Sequence, residues 1–123
     1  MKEIDNCLRQ IAKLRLVAQG GEVAYVARSR LGRLVLGVGQ LVSKISGISV
    51  PDRPRRLTVP EDASSDVRSL VNLCNQLNDT AKTLVQPSEP LDERWRTGWS
   101  ELMAELDHLE LHLQGMAVRP LTT

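Results

Sequence analysis

Phenylalanine is missing from this chain of 123 residues, which holds one tyrosine and two tryptophans. Leu, Val and Ile must therefore fill the interior. That mix suits packed helices better than sheets, which draw on aromatic side chains. Cysteine is scarce as well: Cys7 and Cys74 stand far apart, in neither a C-x-x-C pair nor a zinc-type spacing. A disulfide framework and a zinc module are thereby set aside, and both thiols read as small buried hydrophobes in a reducing compartment. No apolar run approaches the ~18 residues of a membrane span. The opening residues MKEIDNCLRQIAK interleave charges and lack the continuous apolar core of a secretory signal. These absences together predict a soluble, cytoplasmic protein.

Nucleotide and catalytic motifs are absent too. The stretch SRLGRLVLGVGQLVSKISG (residues 29–47) carries Gly32, Gly37 and Gly39, which invites a phosphate-loop reading. Spacing rejects it. Val38 and Gly39 follow Gly37 where a P-loop needs Lys and Ser/Thr, and Gln40, Leu41 and Val42 follow Gly39 where a dinucleotide fingerprint needs a third small residue. No serine sits in a G-x-S-x-G elbow, and no two carboxylates stand out as an acid/base pair. An enzyme is not expected.

What is present is helical periodicity, four times over. Ile4, Cys7, Ile11, Leu14 and Ala18 recur at alternating steps of three and four, which places them on one stripe. Gly20-Gly21 closes that segment. Ala27, Leu31, Leu34, Val38, Leu41 and Ile45 form a second stripe, and Gly47 is its natural stop. Beside it run Ser29, Gly32, Leu36, Gly39, Ser43 and Ser46, mostly small, as a flank on which another helix could pack closely. Val35, Leu36 and Val42 lie off the main stripe; ordinary burial is the simpler expectation, and surplus apolar surface for self-association the other. A strand over GRLVLGVG is the lesser alternative.

The segment ISVPDRPRRLTVPED follows, with three prolines and three arginines, and reads as a central loop. Thr58-Val59-Pro60-Glu61 has the form of a capping box and predicts the next helix start. Val67, Leu70, Cys74, Leu77, Ala81 and Leu84 make the third stripe. Pro87 and Pro90 break it, with Ser88 as a candidate cap. Trp95, Trp99, Leu102, Leu106, Leu109, Leu113 and Met116 make the fourth, bounded by Gly115 and Pro120. The expected fold is all-α: a four-helix bundle built from two helical hairpins joined by a Pro/Arg-rich central loop. It occupies one domain over residues 1–118, with a frayed tail over 119–123.

Charge is divided unevenly. Residues 1–60 hold eleven Lys/Arg against four Asp/Glu, and residues 61–123 hold five against eleven, so a net +1 conceals two opposed halves. Arginines of the first half facing carboxylates of the second is the leading explanation, and phosphate contact the next. No helix-turn-helix or aromatic-bearing RNA motif accompanies the basic residues.

The one metal-like constellation is Glu105, His108 and His112, at E-x-x-H and i, i+4 spacing on the last helix. A di-iron bundle needs a second such motif and further inward carboxylates, so a solvated polar face is the expectation and no metal or other cofactor is predicted. The residues singled out for partner contact are Arg28, Arg30 and Arg33 on the second helix, Arg53, Arg55 and Arg56 in the central loop, and Trp95 with Arg96, since Trp and Arg dominate binding hot spots. The expected role is a small helical adaptor, regulator or inhibitor acting through protein–protein contact, as a homodimer or a subunit of an assembly. A nucleic-acid-binding regulator using the basic first hairpin and loop is the alternative. No membrane contact is expected.

Overall fold

The computed structural model describes residues 2–21, 28–84 and 93–118, with side chains except at 21, 28–29 and 93–96. Four helices account for most of them: α1 (Lys2–Gly21), α2 (Arg28–Ser46), α3 (Ser65–Leu84) and α4 (Glu93–Val118). No strand occurs among the described residues. The helices form a ring in which each packs on its two neighbours: α1 on α2, α2 on α3, α3 on α4, and α4 back on α1. This is a four-helix bundle, as the four stripes predict.

Direction follows from reach and from cross-links. The six residues between α1 and α2 span at most about 25 Å, less than the ~30 Å length of α1, so α2 must run back along α1. Between α3 and α4 three contacts fix antiparallel order. Leu84 lies against Gly98, the Thr80 hydroxyl donates to Glu105 Oε2 at 2.8 Å, and His112 Nε2 meets the Asp66 carbonyl oxygen at 2.9 Å.

The predicted stripes of α1, α3 and α4 form the core. Ile4, Cys7, Ile11, Leu14 and Ala18 are buried, as are Leu70, Cys74, Leu77, Ala81 and Leu84, and Trp99, Leu102, Leu106, Leu109 and Leu113. Helix α2 departs from its predicted stripe. Its buried hydrophobic residues are Leu31, Val35, Val38 and Val42, with Gly39 and Ser43 buried beside them, while Leu34, Leu41 and Ile45 are only partly buried. Val35 and Val42 are therefore core residues, not surplus surface. The seam is rotated because α2 is covered on more than two sides, by α1, by α3 and by the central loop.

The thin flank of α2 also meets a different neighbour from the one expected. A Cβ at Gly39 would stand 3.9 Å from Pro51 Cγ, and Gln40 Nε2 donates to the Pro51 carbonyl at 3.1 Å. The loop, not a sister helix, lies there. Helix α1 reaches α2 at Gly37, off that flank, where a Cβ would fall 2.5 Å from Gln10 Nε2. Gln10 uses this space to donate to the Leu34 carbonyl at 3.2 Å.

The helix ends obey local chemistry. Gly47 has φ +70°, the Gly47 N–H reaches the Lys44 carbonyl (3.4 Å), and the Ile48 N–H reaches that of Ser43 (3.0 Å). This is a Schellman stop. The predicted capping box at Thr58–Glu61 does not form. The cap of α3 is Ser64, whose Oγ accepts from the Val67 N–H at 3.2 Å. Val59 precedes a proline, which disfavours helical backbone there, and the Pro60 carbonyl instead accepts from the Ala63 N–H at 3.1 Å in a turn. Helix α4 continues through Gly115 to Val118. Ala27, Ser88 and the tail over 119–123 lie outside the described residues.

Candidate binding groove at the central loop

Residues 47–64 do not bulge into solvent. They ascend along α2, with Pro51 buried against Gly39, turn near Gly32, and descend along α3. One clamp holds the descent. Asn75 is 5% exposed, its Oδ1 accepts from the Leu57 N–H at 2.6 Å, and its Nδ2 donates to the Leu57 carbonyl at 2.9 Å. The side-chain amide thus completes both backbone groups of Leu57, as a neighbouring strand would. Those groups can then be buried without penalty while the Leu57 side chain enters the core at 7% exposure.

The clamp aims the residues just before it. Arg53, Pro54, Arg55 and Arg56 stand exposed over α3 and, with Gly32 of α2 and Asn78, Asp79 and Lys82 of α3, line an open cavity of about 530 Å3. A Cβ at Gly32 would meet nothing within 4 Å, so the floor is bare. Arg56 pairs with Asp79. Arg53, Arg55 and Lys82 have no ion-pair partner among the described residues. The cavity presents four cations and one carboxylate in a chain of net charge +1. On the other side of residues 55–56 a second cavity, about 420 Å3, is lined by Ile48, Leu57, Thr58 and Pro60.

Of the residues singled out from sequence, the fold brings Arg53, Arg55 and Arg56 together. Arg30 and Arg33 are exposed on α2, in neither cavity. The side chains of Arg28, Trp95 and Arg96 lie outside those described, whereas Trp99 is a core residue at 1% exposure. Lys82, Asp79 and Asn75 were not singled out. Asn75 and Lys82 belong to a stripe of α3 (Val71, Asn75, Asn78, Lys82) that passes from core to solvent beneath the loop, with Asp79 beside it. Its polar content, next to an apolar stripe, is the one sequence signal that something other than a helix covers it.

Opposite charges do meet across the halves. Arg15 of α1 pairs with Asp107 (2.7 Å) and Glu110 of α4, and Arg56 of the loop with Asp79 of α3. Each described ion pair joins the basic half to the acidic one. At the α1/α4 seam a shallow cavity of about 370 Å3 lies over Leu8, Ala12 and Leu16. Leu16 (71%) and Leu111 (70%) are exposed on these two helices.

The Glu105, His108, His112 constellation does not converge. Glu105 turns to Thr80, His112 to the Asp66 carbonyl, and His108 to solvent. No group of three His, Cys, Asp or Glu placed to hold a metal occurs among the described residues. Burial pushes the Glu105 carboxyl above its ordinary range, with Glu101 and Asp79 adding to the rise and Thr80 and His108 opposing it. Cys7 and Cys74 are buried free thiols, each pushed up to about 12 by burial. No Cα of α1 lies within 8 Å of one in α3, so the two sulfurs cannot bridge without backbone movement. Among the described residues, no helix is long and apolar enough to cross a membrane.

No protein-family model matches this chain, and neither does any curated protein or solved structure.

Proposed function

We propose that this chain is a small helical adaptor or regulator, working in the cytoplasm by binding another protein rather than by catalysing a reaction. The observation that carries the reading is the open cationic cavity, where a loop rich in proline and arginine is anchored by Asn75 so that three arginines share one surface. Arginine is among the residue types enriched at binding hot spots. Leu16, exposed at the α1/α4 seam, and Leu111, exposed on α4, support self-association as a second property.

The same four cations favour one other reading, a nucleic-acid-binding regulator. Purification of the untagged protein from its source tests the pair. A specific, stoichiometric protein companion is expected, with no retention of random duplex DNA or RNA at about 50 mM salt. A chain that elutes alone at every salt concentration while binding duplex with a steep salt dependence would replace the adaptor with the alternative.

A further inference from the structure

We infer that the cavity between the central loop and α3 is a docking site for a short acidic segment, rich in Asp and Glu, of a partner protein. This rests on the adaptor reading and names the chemistry of its partner. Four observations support it. The wall of the cavity already binds a carboxylate, since Arg56 holds Asp79. Arg53, Arg55 and Lys82 offer further positive charge at the same rim, with no ion-pair partner among the described residues. The guanidinium fork matches a carboxylate with two parallel hydrogen bonds. The bare floor at Gly32 leaves room for a backbone to lie close to α2.

The extent of the positive region selects a short segment over a nucleic-acid strand. Asp79 borders the cavity and its charge is felt by Glu105, which is flanked by Glu101. A long polyanion leaving the cavity across α3 would meet these carboxylates. Nor does any described aromatic side chain line the cavity to stack a base. A segment of a few acidic residues fits against Arg53, Arg55 and Lys82, with Asp79 already paired to Arg56, and ends before Glu101 and Glu105.

The test is fluorescence polarisation with a labelled Glu/Asp-rich peptide of about a dozen residues, an oligothymidylate of similar length, and inorganic triphosphate as competitor. At about 50 mM salt the peptide is expected to bind and to weaken about tenfold as salt rises several-fold. The Arg53→Ala/Arg55→Ala variant should lose about tenfold or more. Gly32→Leu fills the floor without changing charge and should lose a similar factor; Gly32 faces open space, so this variant folds. Equal peptide binding by all three proteins, or no binding at low salt, overturns the proposal. Tighter binding of oligothymidylate or triphosphate than of peptide overturns it in favour of a phosphate site. Assembly of the protein at low salt that Gly32→Leu abolishes overturns it in favour of a second copy in the cavity. A companion protein captured equally by wild type and Gly32→Leu sinks the docking site yet leaves the adaptor reading standing.

Discussion

The α1/α4 and α2/α3 seams of one bundle are closed by different means. At α1/α4, leucines at 0% exposure on α4 meet the buried stripe of α1, and Arg15 ties the outer edge to Asp107 and Glu110. At α2/α3 a loop lies along the helices, inserting Leu57 and Pro51 and hydrogen-bonding through Asn75 and Gln40. The first seam depends on buried apolar area, whose contribution is non-directional. The second also packs helix on helix, and adds directional bonds made by irregular backbone, which fail abruptly when a partner is lost. A chain anchored that way can project arginines at fixed positions; a helix–helix seam has no spare backbone to do so.

The largest expected effect sharpens this contrast. Leu109→Ala empties a fully enclosed site among helices and should cost about 2–5 kcal/mol, with the spread set by how far the neighbours collapse. Leu57→Ala belongs at the low end of that range, because a loop can settle where a helix cannot. Urea unfolding of the two variants measures both. A Leu57→Ala loss equal to that of Leu109→Ala would mean the loop is as rigid as the helices.

Next in size is Asn75→Ala. It leaves the N–H and carbonyl of Leu57 buried and unpaired, and about 2–3 kcal/mol should be lost. Hydrogen exchange at the Leu57 amide should rise toward the rate of an exposed loop while the core amides of α4 stay protected. Equal deprotection of both would show that the two seams open as one unit, and the comparison would fall.

The same division explains what could be read from residue order. Helix–helix seams follow a repeat of three and four, so most of the core of α1, α3 and α4 was legible; Val17 and Val71 are buried off those stripes, and Val67 and Met116 on them are only partly buried. Helix α2 was legible as a helix but not in its rotation, since the face it buries is set by the neighbours that cover it and not by its own repeat. The arginines of the cavity were visible as a cluster. Their acidic and basic companions on α3, Asp79 and Lys82, were not, because only the path of the loop brings them within reach. The cap at Ser64 was missed for a local reason: Thr58 and Glu61 have the right spacing, but Val59-Pro60 disfavours helix and Leu57 is held extended by Asn75.

Smaller effects separate the two faces of α2. Gly39→Ala adds a methyl at ordinary contact distance from Pro51 and removes the helix cost of glycine, so it should stabilise by about 0.5–1 kcal/mol. Gly37→Ala makes the same gain but drives Gln10 away from the Leu34 carbonyl, and the two should nearly cancel. Thermal melts of the pair read the difference directly. A gain at Gly37 as large as that at Gly39 would show that the Gln10 bond contributes nothing.

The smallest effect links the loop to a third seam. Glu105 is half-buried between α3 and α4, with Oε1 buried and without a hydrogen-bond partner and Oε2 taking the Thr80 hydroxyl. Its folded-state pKa lies above the ordinary value, chiefly through burial, so ionising it disfavours the fold. The penalty is absent below the unfolded carboxylate pKa, grows as pH climbs from there, and is complete above the folded pKa. Glu105→Gln should therefore stabilise at neutral pH, by less than about 1 kcal/mol given its partial exposure, and should have no such advantage near pH 3. The carboxylate of Asp79 contributes to the rise, and Arg56 is paired with that carboxylate. Arg56→Gln removes the neutralising charge, so it should push Glu105 higher still, as a carboxyl-carbon NMR titration would record. An unmoved Glu105 would mean solvent screens Asp79 from it, and the cavity and the α3/α4 seam would then be electrically independent.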